Sequence, residues 1–289
     1  MKWLRALGYP LYKFHCWLAA GKGHLAFLQW AKENGEVGIL DKFAYSYAAG
    51  GNQLEVLKWL RENKCPLDPL TLTAAAKGGH LEVLEWLREQ DCPADPLACA
   101  VVAEEGNLEV LKWLRENNYP WNEKACYSAA LGGHLDMLKW AREQGCPWNS
   151  ITCSEAASGG HLEVLKWATE NGCPWPNEED ELTSLKNSAA QGGNVELAKW
   201  LCEKGCSFDT TTCLIAAEKG HLEMLKWLRE NGCGWEEEEI CCYAAQEGHF
   251  EVLKWAREQG CAWDSRTCQY AATGGHLEIL KWARENGCD

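Results

Sequence analysis

Positive charge is scarce in this chain. Over 289 residues, 28 Lys and Arg stand against 42 Asp and Glu, a formal net charge of −14 at pH 7. The deficit is uneven: residues 1–60 hold seven basic and four acidic side chains, the remainder 21 and 38. An acidic body repels a phosphate backbone, which argues against nucleic acid as a partner. No apolar run approaches the 18 or so residues that a membrane-spanning helix needs, so no membrane association is expected. The opening stretch, MKWLRALGYPLYKFHCWLAAGKG, is broken by Lys13, His15 and a Tyr-Pro step and does not read as a secretion signal. The expected setting is therefore intracellular, cytoplasmic or nuclear and not secreted, with thiols kept reduced. C-x-x-C is missing, the close spacing that zinc sites favour. No Gly-rich loop followed by Lys-Ser/Thr is present to cradle phosphate. No Ser or Cys stands in a singular elbow with its own base and acid. The chain reads as a non-enzyme, with no catalytic residue, no cofactor and no metal ligand assigned.

What is abundant is cysteine and tryptophan, 17 of each. Their order explains them. The Trp of a recurring Leu-Lys-Trp element stands at Trp3, Trp30, Trp59, Trp86, Trp113, Trp140, Trp167, Trp200, Trp227, Trp255 and Trp282, at spacings of 27, 29, 27, 27, 27, 27, 33, 27, 28 and 27. A 27-residue unit with small insertions and one of six residues thus covers residues 1–289 as a single array. It opens with a half repeat, continues as about ten helix pairs, and carries an acidic insertion, PNEEDE, at 176–181. That insertion reads either as a lone finger turned toward a basic partner or as a solvated loop. The acids at 236–239 read as a helix start.

Each unit punctuates itself as two helices. Asp41, Asp68, Asp95, Asn122, Asn149, Asp209 and Asp264 cap the first, with Pro69 and Pro96 directly after two of them. A Gly pair such as Gly78-Gly79 ends it. The second opens at a His or Asn (His80, Asn107, His134, His161, Asn194, His221), which is read as its cap. Leu81, Val83, Leu84, Trp86 and Leu87 then sweep roughly 220° of the helix at about 100° per residue, an arc too wide for one neighbour to cover. Flanking repeats must supply the rest, so no unit folds alone.

The run G-H-L-E-V-L-K-W-[LA]-R-E-N-G, preceded by T-C-x-x-A-A, resembles the ankyrin repeat, whose usual signature is T-P-L-H-x-A-A-x-x-G-H with a Gly-terminated second helix. Here Cys and a variable residue replace the Pro and His after Thr. The stretch between one unit's Gly and the next unit's Thr is shortened to a C-P-W-D turn. The resemblance implies an all-α solenoid of stacked helix-turn-helix repeats with hairpin fingers shortened or absent.

The chemistry-bearing residues fall into columns, and packing accounts for each. Cysteine occupies a turn column (Cys65, Cys92, Cys146, Cys173, Cys206, Cys233, Cys261, Cys288) and a first-helix column (Cys16, Cys99, Cys126, Cys153, Cys213, Cys241, Cys268). Tyr45, Leu72 and Tyr119, which are not ligands, replace it elsewhere, so cysteine serves as a small apolar filler. Cys202 and Cys242 lie outside both columns and are expected to be exposed and reactive. The Trp column and the turn aromatics (Trp121, Trp148, Trp175, Phe208, Trp235, Trp263) are expected in the core. There each Trp would remove roughly 150–250 Å² from water, about 4–6 kcal/mol before entropy.

Function is expected where units differ. With cysteine and Ala-Ala facing inward, the outward line of the first helix runs two residues before the cysteine and two and five after it. The partner-binding candidates on this line are Phe14, Leu18, Phe43, Tyr47, Leu70, Leu97, Val101, Leu131, Ile151, Glu155, Ile215, Tyr243 and Tyr270. Variable, aromatic and apolar residues on an ordered row suit a non-catalytic protein–protein interaction scaffold with an unknown protein partner. Two alternatives stand beside it: a cysteine-rich metal-binding or redox-responsive repeat protein, and a passive spacer from a longer array. Neither end shows a polar capping repeat, which raises end-to-end self-association as a further expectation.

Overall fold

The computed structural model describes residues 12–34, 41–234 and 237–288. These fall into two compact units, Met1–Trp148 and Asn149–Asp289. In the first, five helix pairs follow one another: α1 Lys13–Gly21 with α2 Leu25–Glu33, α3 Lys42–Gly50 with α4 Leu54–Glu62, α5 Pro69–Lys77 with α6 Leu81–Glu89, α7 Ala98–Glu105 with α8 Leu108–Glu116, and α9 Glu123–Leu131 with α10 Leu135–Glu143. The second repeats the plan: α11 Ser150–Ser158 with α12 Leu162–Glu170, α13 Glu179–Gln191 with α14 Val195–Glu203, α15 Thr210–Glu218 with α16 Leu222–Glu230, α17 Glu237–Gln246 with α18 Phe250–Glu258, and α19 Ser265–Thr273 with α20 Leu277–Glu285. No strand occurs among the described residues. The half repeat expected at the start lies outside the described residues.

Within each unit every first helix packs on its own second helix and on the next first helix. The first helices approach through small residues, as Ala48 and Ala49, Ala75 and Ala76, and Ala156 and Ala157 are all buried. On the second helix the buried positions are the aliphatic ones: Val83, Leu84 and Leu87 in α6, Val110, Leu111 and Leu114 in α8. From Trp30 to Trp282 the tryptophans of this element are only half-buried, shallower than the core position expected for them, and Trp3 lies outside the described residues. Each described one lies at the edge of the apolar arc.

Acceptor side chains start the first helices as expected at Asp41, Asn122, Asp209 and Asp264, each of which receives a backbone N–H from within the first turn. Asp68 and Asn149 hold the N-cap position without a side-chain cap bond, and Asp95 instead accepts from Leu97 N at 2.9 Å in a turn that precedes α7. The exits need a left-handed residue. Gly79 has φ +76°, and at other exits Asn52, Lys64, Asp91 and Asn118 adopt φ of 53–62°. A Cβ is tolerated there at a cost, so Gly or a short polar residue is the usual occupant.

The histidine column corrects the capping assignment. His80 and its equivalents occupy the N-cap position but make no side-chain cap bond. Four of the rings reach back to the first helix of the preceding repeat: His80 Nε2 to Gly50 O at 3.1 Å, His134 to Glu104 O at 2.9 Å, His221 to Gln191 O at 2.8 Å and His249 to Glu218 O at 2.7 Å. The carbonyls at a helix C-terminus have no intrahelical partner, and the imidazole N–H supplies one across the repeat boundary. Asn194 does both jobs: its oxygen accepts from Leu197 N at 2.9 Å and its amide donates to Gly160 O at 3.1 Å. This is why Asn can stand in the column.

The six-residue insertion is neither a finger nor a simple loop. It lengthens α13 to 13 residues against nine for α11 and α15, and places Glu179, Asp180 and Glu181 in the first turn, where the helix dipole favours acids. Glu181 also accepts from Ser150 Oγ at 3.0 Å, which fastens the added turn to the preceding first helix.

Candidate interaction surface

Large apolar side chains are exposed at few places, and those places coincide with the outward line of the first helices. In the first unit Phe14, Leu18, Phe43, Tyr47, Leu70 and Leu97 are exposed, and in the second Ile151, Tyr243 and Tyr270. Among the described residues only Tyr12 and Leu277 join them from elsewhere. Val101, Leu131, Glu155 and Ile215 are half-buried. Ser128, on the same line, is buried, so adjacent first helices close over part of it.

The first unit gathers its exposed aromatics around a residue that the helical projection leaves out. Trp17 is half-buried, with ring centroids 4.9 Å from Phe43, 6.0 Å from Tyr47 and 6.4 Å from Phe14. Its indole N–H donates to Asp41 Oδ1 at 2.8 Å, which fixes the ring between α1 and α3. The equivalent position in α5 does the same with a different side chain, as Thr73 Oγ1 donates to Asp95 Oδ2. A signal for Trp17 does exist in the sequence, because the residue after the first-helix cysteine is small or polar in most units and Trp in one. Leu18 and Ala19 also line a cavity of about 720 Å³ together with His15, Leu25 and Phe27. In the second unit Ser158 and Ser188 hydroxyls meet at 3.2 Å between α11 and α13. Lys186 stands where other units have the first-helix cysteine, and its ammonium lies 3.3 Å from Asp209. Against the cost of burial, the backbone N–H of Thr212 and this lysine hold the Asp209 carboxyl below its usual range.

The second-helix side has a different character. Arg115, Arg142 and Arg257 lie over Trp121, Trp148 and Trp263, with guanidinium carbons 4.4, 4.1 and 4.1 Å from the ring centroids. Trp121 meets Trp140 edge-on at 5.9 Å, Trp175 meets Trp200 at 5.6 Å and Trp263 meets Trp282 at 5.5 Å. Arg115, Arg142 and Arg257 thus cover one face of Trp121, Trp148 and Trp263. Trp235 lies outside the described residues.

The turn cysteines have a structural task beyond filling space. Their thiols approach the carbonyl of the first-helix cap 24 residues earlier: Cys65 to Asp41 O at 3.2 Å, Cys173 to Asn149 O at 3.2 Å, Cys233 to Asp209 O at 3.1 Å and Cys288 to Asp264 O at 3.1 Å. Cys202 is exposed as expected. Cys242 is buried, 3.7 Å from Thr267 Oγ1: it follows the column cysteine Cys241, at the position of Trp17 and Thr73, and faces the next first helix. Burial pushes the thiols of Cys65 and Cys92 up from 9.0 to about 12 and about 11, and Cys99 to about 12. A folded-state pKa above the unfolded one contributes stability that is complete below the unfolded value and is lost as pH rises through the folded value. The melting temperature should therefore hold up to about pH 9 and fall steadily across pH 9–12, as melts at fixed ionic strength would show.

These elements define a helix-pair repeat protein with an apolar row on its first helices. Family models for ankyrin repeats match residues 97–142 (many copies) and 153–238 (three copies). Over those residues the chain is similar to ankyrin repeats, which supports an ankyrin-repeat family. Ankyrin repeats are generally protein–protein interaction modules, and their proteins are typically non-catalytic. Among solved structures, the human ASB11 ankyrin repeat domain is similar at 19% identity and a TM-score of 0.47, over 57% of this chain and 84% of that one. No curated protein matches the sequence. No helix among the described residues is long and apolar enough to cross a membrane.

Proposed function

We propose that the chain is a non-catalytic, intracellular protein-interaction scaffold, and that each unit binds through the outward residues of its first helices. Phe14, Leu18, Phe43, Tyr47, Leu70, Leu97, Val101 and Leu131 serve in the first unit, and Ile151, Glu155, Ile215, Tyr243 and Tyr270 in the second. The observation that carries this reading is the coincidence between that row and nearly all the large apolar exposure of the described residues. Tyr and Phe on an ordered helix present wide contact area with few torsions left to freeze, so association loses little entropy. Trp17 belongs to the same surface, because it sets the orientation of Phe14, Phe43 and Tyr47.

The test is affinity capture from a lysate of the source cell under reducing, chelated conditions. Wild type is compared with a variant carrying Tyr47→Glu, Tyr243→Glu and Tyr270→Glu, after both are shown to have equal helicity. Capture of a discrete protein by the wild type, reduced at least about tenfold in the variant, is the expected result. Equal capture by both places the binding surface elsewhere.

A further inference from the structure

Seventeen cysteines exceed what the binding row needs, and the fold arranges many of them in a way that the column spacing does not show. A first-helix cysteine and the turn cysteine twenty residues later meet inside one repeat. Cys213 Sγ lies 3.0 Å from Cys233 Sγ, and Cys241 Sγ lies 3.3 Å from Cys261 Sγ. The same spacing brings Cys126 Sγ to the carbonyl of Cys146 and Cys268 Sγ to that of Cys288, at 3.9 and 3.8 Å. Cys153 and Cys173 also share a side-chain hydrogen bond, whereas three repeats break the pair on one side: Tyr45 faces Cys65, Leu72 faces Cys92, and Lys186 stands opposite Cys206. Among the described residues no group of three or more His, Cys, Asp or Glu side chains is arranged to hold a metal ion, so each pair is a two-sulfur site.

We propose that Cys213/Cys233 and Cys241/Cys261 are oxidation sites, in which peroxide converts each pair into a disulfide within one repeat. The turn cysteine loses its proton and its sulfur attacks one peroxide oxygen. The O–O bond breaks, the first water leaves with that proton, and a sulfenic acid remains. The first-helix sulfur then attacks the sulfenic sulfur and displaces hydroxide, which takes up the first-helix proton as the second water. Two thiols and one hydrogen peroxide give one disulfide and two waters, and the two sulfurs supply both electrons. The two members are unequal in the sense this order requires. The S–H to S bond, with burial behind it, pushes the Cys213 thiol up, and the same bond draws Cys233 down. In a reducing compartment such a bond is transient, which suits a response to oxidant and not a structural staple. Because Cys241 lies on the helix that carries Tyr243, the bond would tie a binding helix to its own turn.

The molecule contains its own control. Cys233 is 7% exposed and Cys65 and Cys92 are 5% and 8% exposed, so solvent access is alike and only the facing residue differs. The experiment treats the native full-length chain with hydrogen peroxide, blocks remaining thiols with N-ethylmaleimide after unfolding, and maps unreduced peptides by mass spectrometry. Links between Cys213 and Cys233 and between Cys241 and Cys261 are expected, reversed by dithiothreitol. The Cys233 thiol should be lost at least about tenfold faster than those of Cys65 and Cys92. With Cys213→Ser the first link should vanish and Cys233 should accumulate as the sulfenic acid, trappable by dimedone, while the second link persists. The proposal is overturned if Cys65, Cys92 and Cys233 are consumed at one rate, if sulfurs pair between repeats, or if peroxide that oxidises exposed Cys202 leaves both pairs untouched.

Discussion

Leu111→Ala should lower the unfolding free energy by about 3 kcal/mol, within the roughly 2–5 kcal/mol range for a buried leucine truncated to alanine. Leu111 has no solvent exposure and lies in α8 between Val110 and Leu114, which are also buried. The lost methyl and methylene groups forfeit their transfer free energy, and a cavity remains because rigid helix pairs on either side limit collapse. Leu108 begins the same helix three residues earlier and is half-buried. Leu108→Ala should cost only about 1 kcal/mol, in proportion to the smaller area it hides. Urea melts followed by circular dichroism would measure both. Equal losses would mean that the apolar arc of the second helix is turned differently.

Gly106→Val should be of similar size, about 3 kcal/mol, for reasons that involve no cavity. Gly106 has φ +78°, a left-handed conformation that costs an L-residue roughly 1–2 kcal/mol and a β-branched one more. A Cβ there would also stand 2.4 Å from Cε1 of His134. Since that ring binds Glu104 O at 2.9 Å, the substitution removes a tie between repeats, worth about 1 kcal/mol. Gly106→Asn should be milder, because Asn52 occupies the equivalent exit at φ +58°. Thermal melts of the two variants should therefore separate clearly, with Val well below Asn. If they coincide, backbone conformation does not limit this exit.

Much of this architecture is written in the sequence because a repeat assigns one residue type to one physical task. Asp or Asn opens a first helix, Gly leaves a helix through positive φ, and alternation of small and large apolar residues sets the packed face. The row of Phe14, Phe43, Leu70 and Leu97 is legible for the same reason, since whatever opposes the buried column of Cys16, Tyr45, Leu72 and Cys99 on a helix must face outward. Other features depend on distances that no local pattern contains. The histidines resemble caps in sequence, but their partner is a carbonyl about thirty residues back, visible only once adjacent first helices are stacked. The tryptophans sit shallower than their pattern suggests because the apolar arc locates its own edges poorly, and an edge position is half-exposed. The cysteine columns look like two independent stripes until the turn folds back and brings residues 213 and 233 into contact. Cys242 lies inward because it meets Thr267 of the next first helix, a partner no local pattern contains, and part of the acidic insertion is absorbed as an added helical turn.

The most direct test of the account is a photo-crosslinking residue placed at single positions in the living source cell. p-Benzoylphenylalanine would replace Tyr47 or Tyr243 on the first helices and, in separate variants, Glu55 or Glu223, which are exposed on second helices. A partner held on the first helices should give a discrete covalent adduct from Tyr47, from Tyr243 or from both, and none from Glu55 or Glu223. Adducts confined to Glu55 and Glu223 would contradict it and move the partner to the opposite side of the repeats.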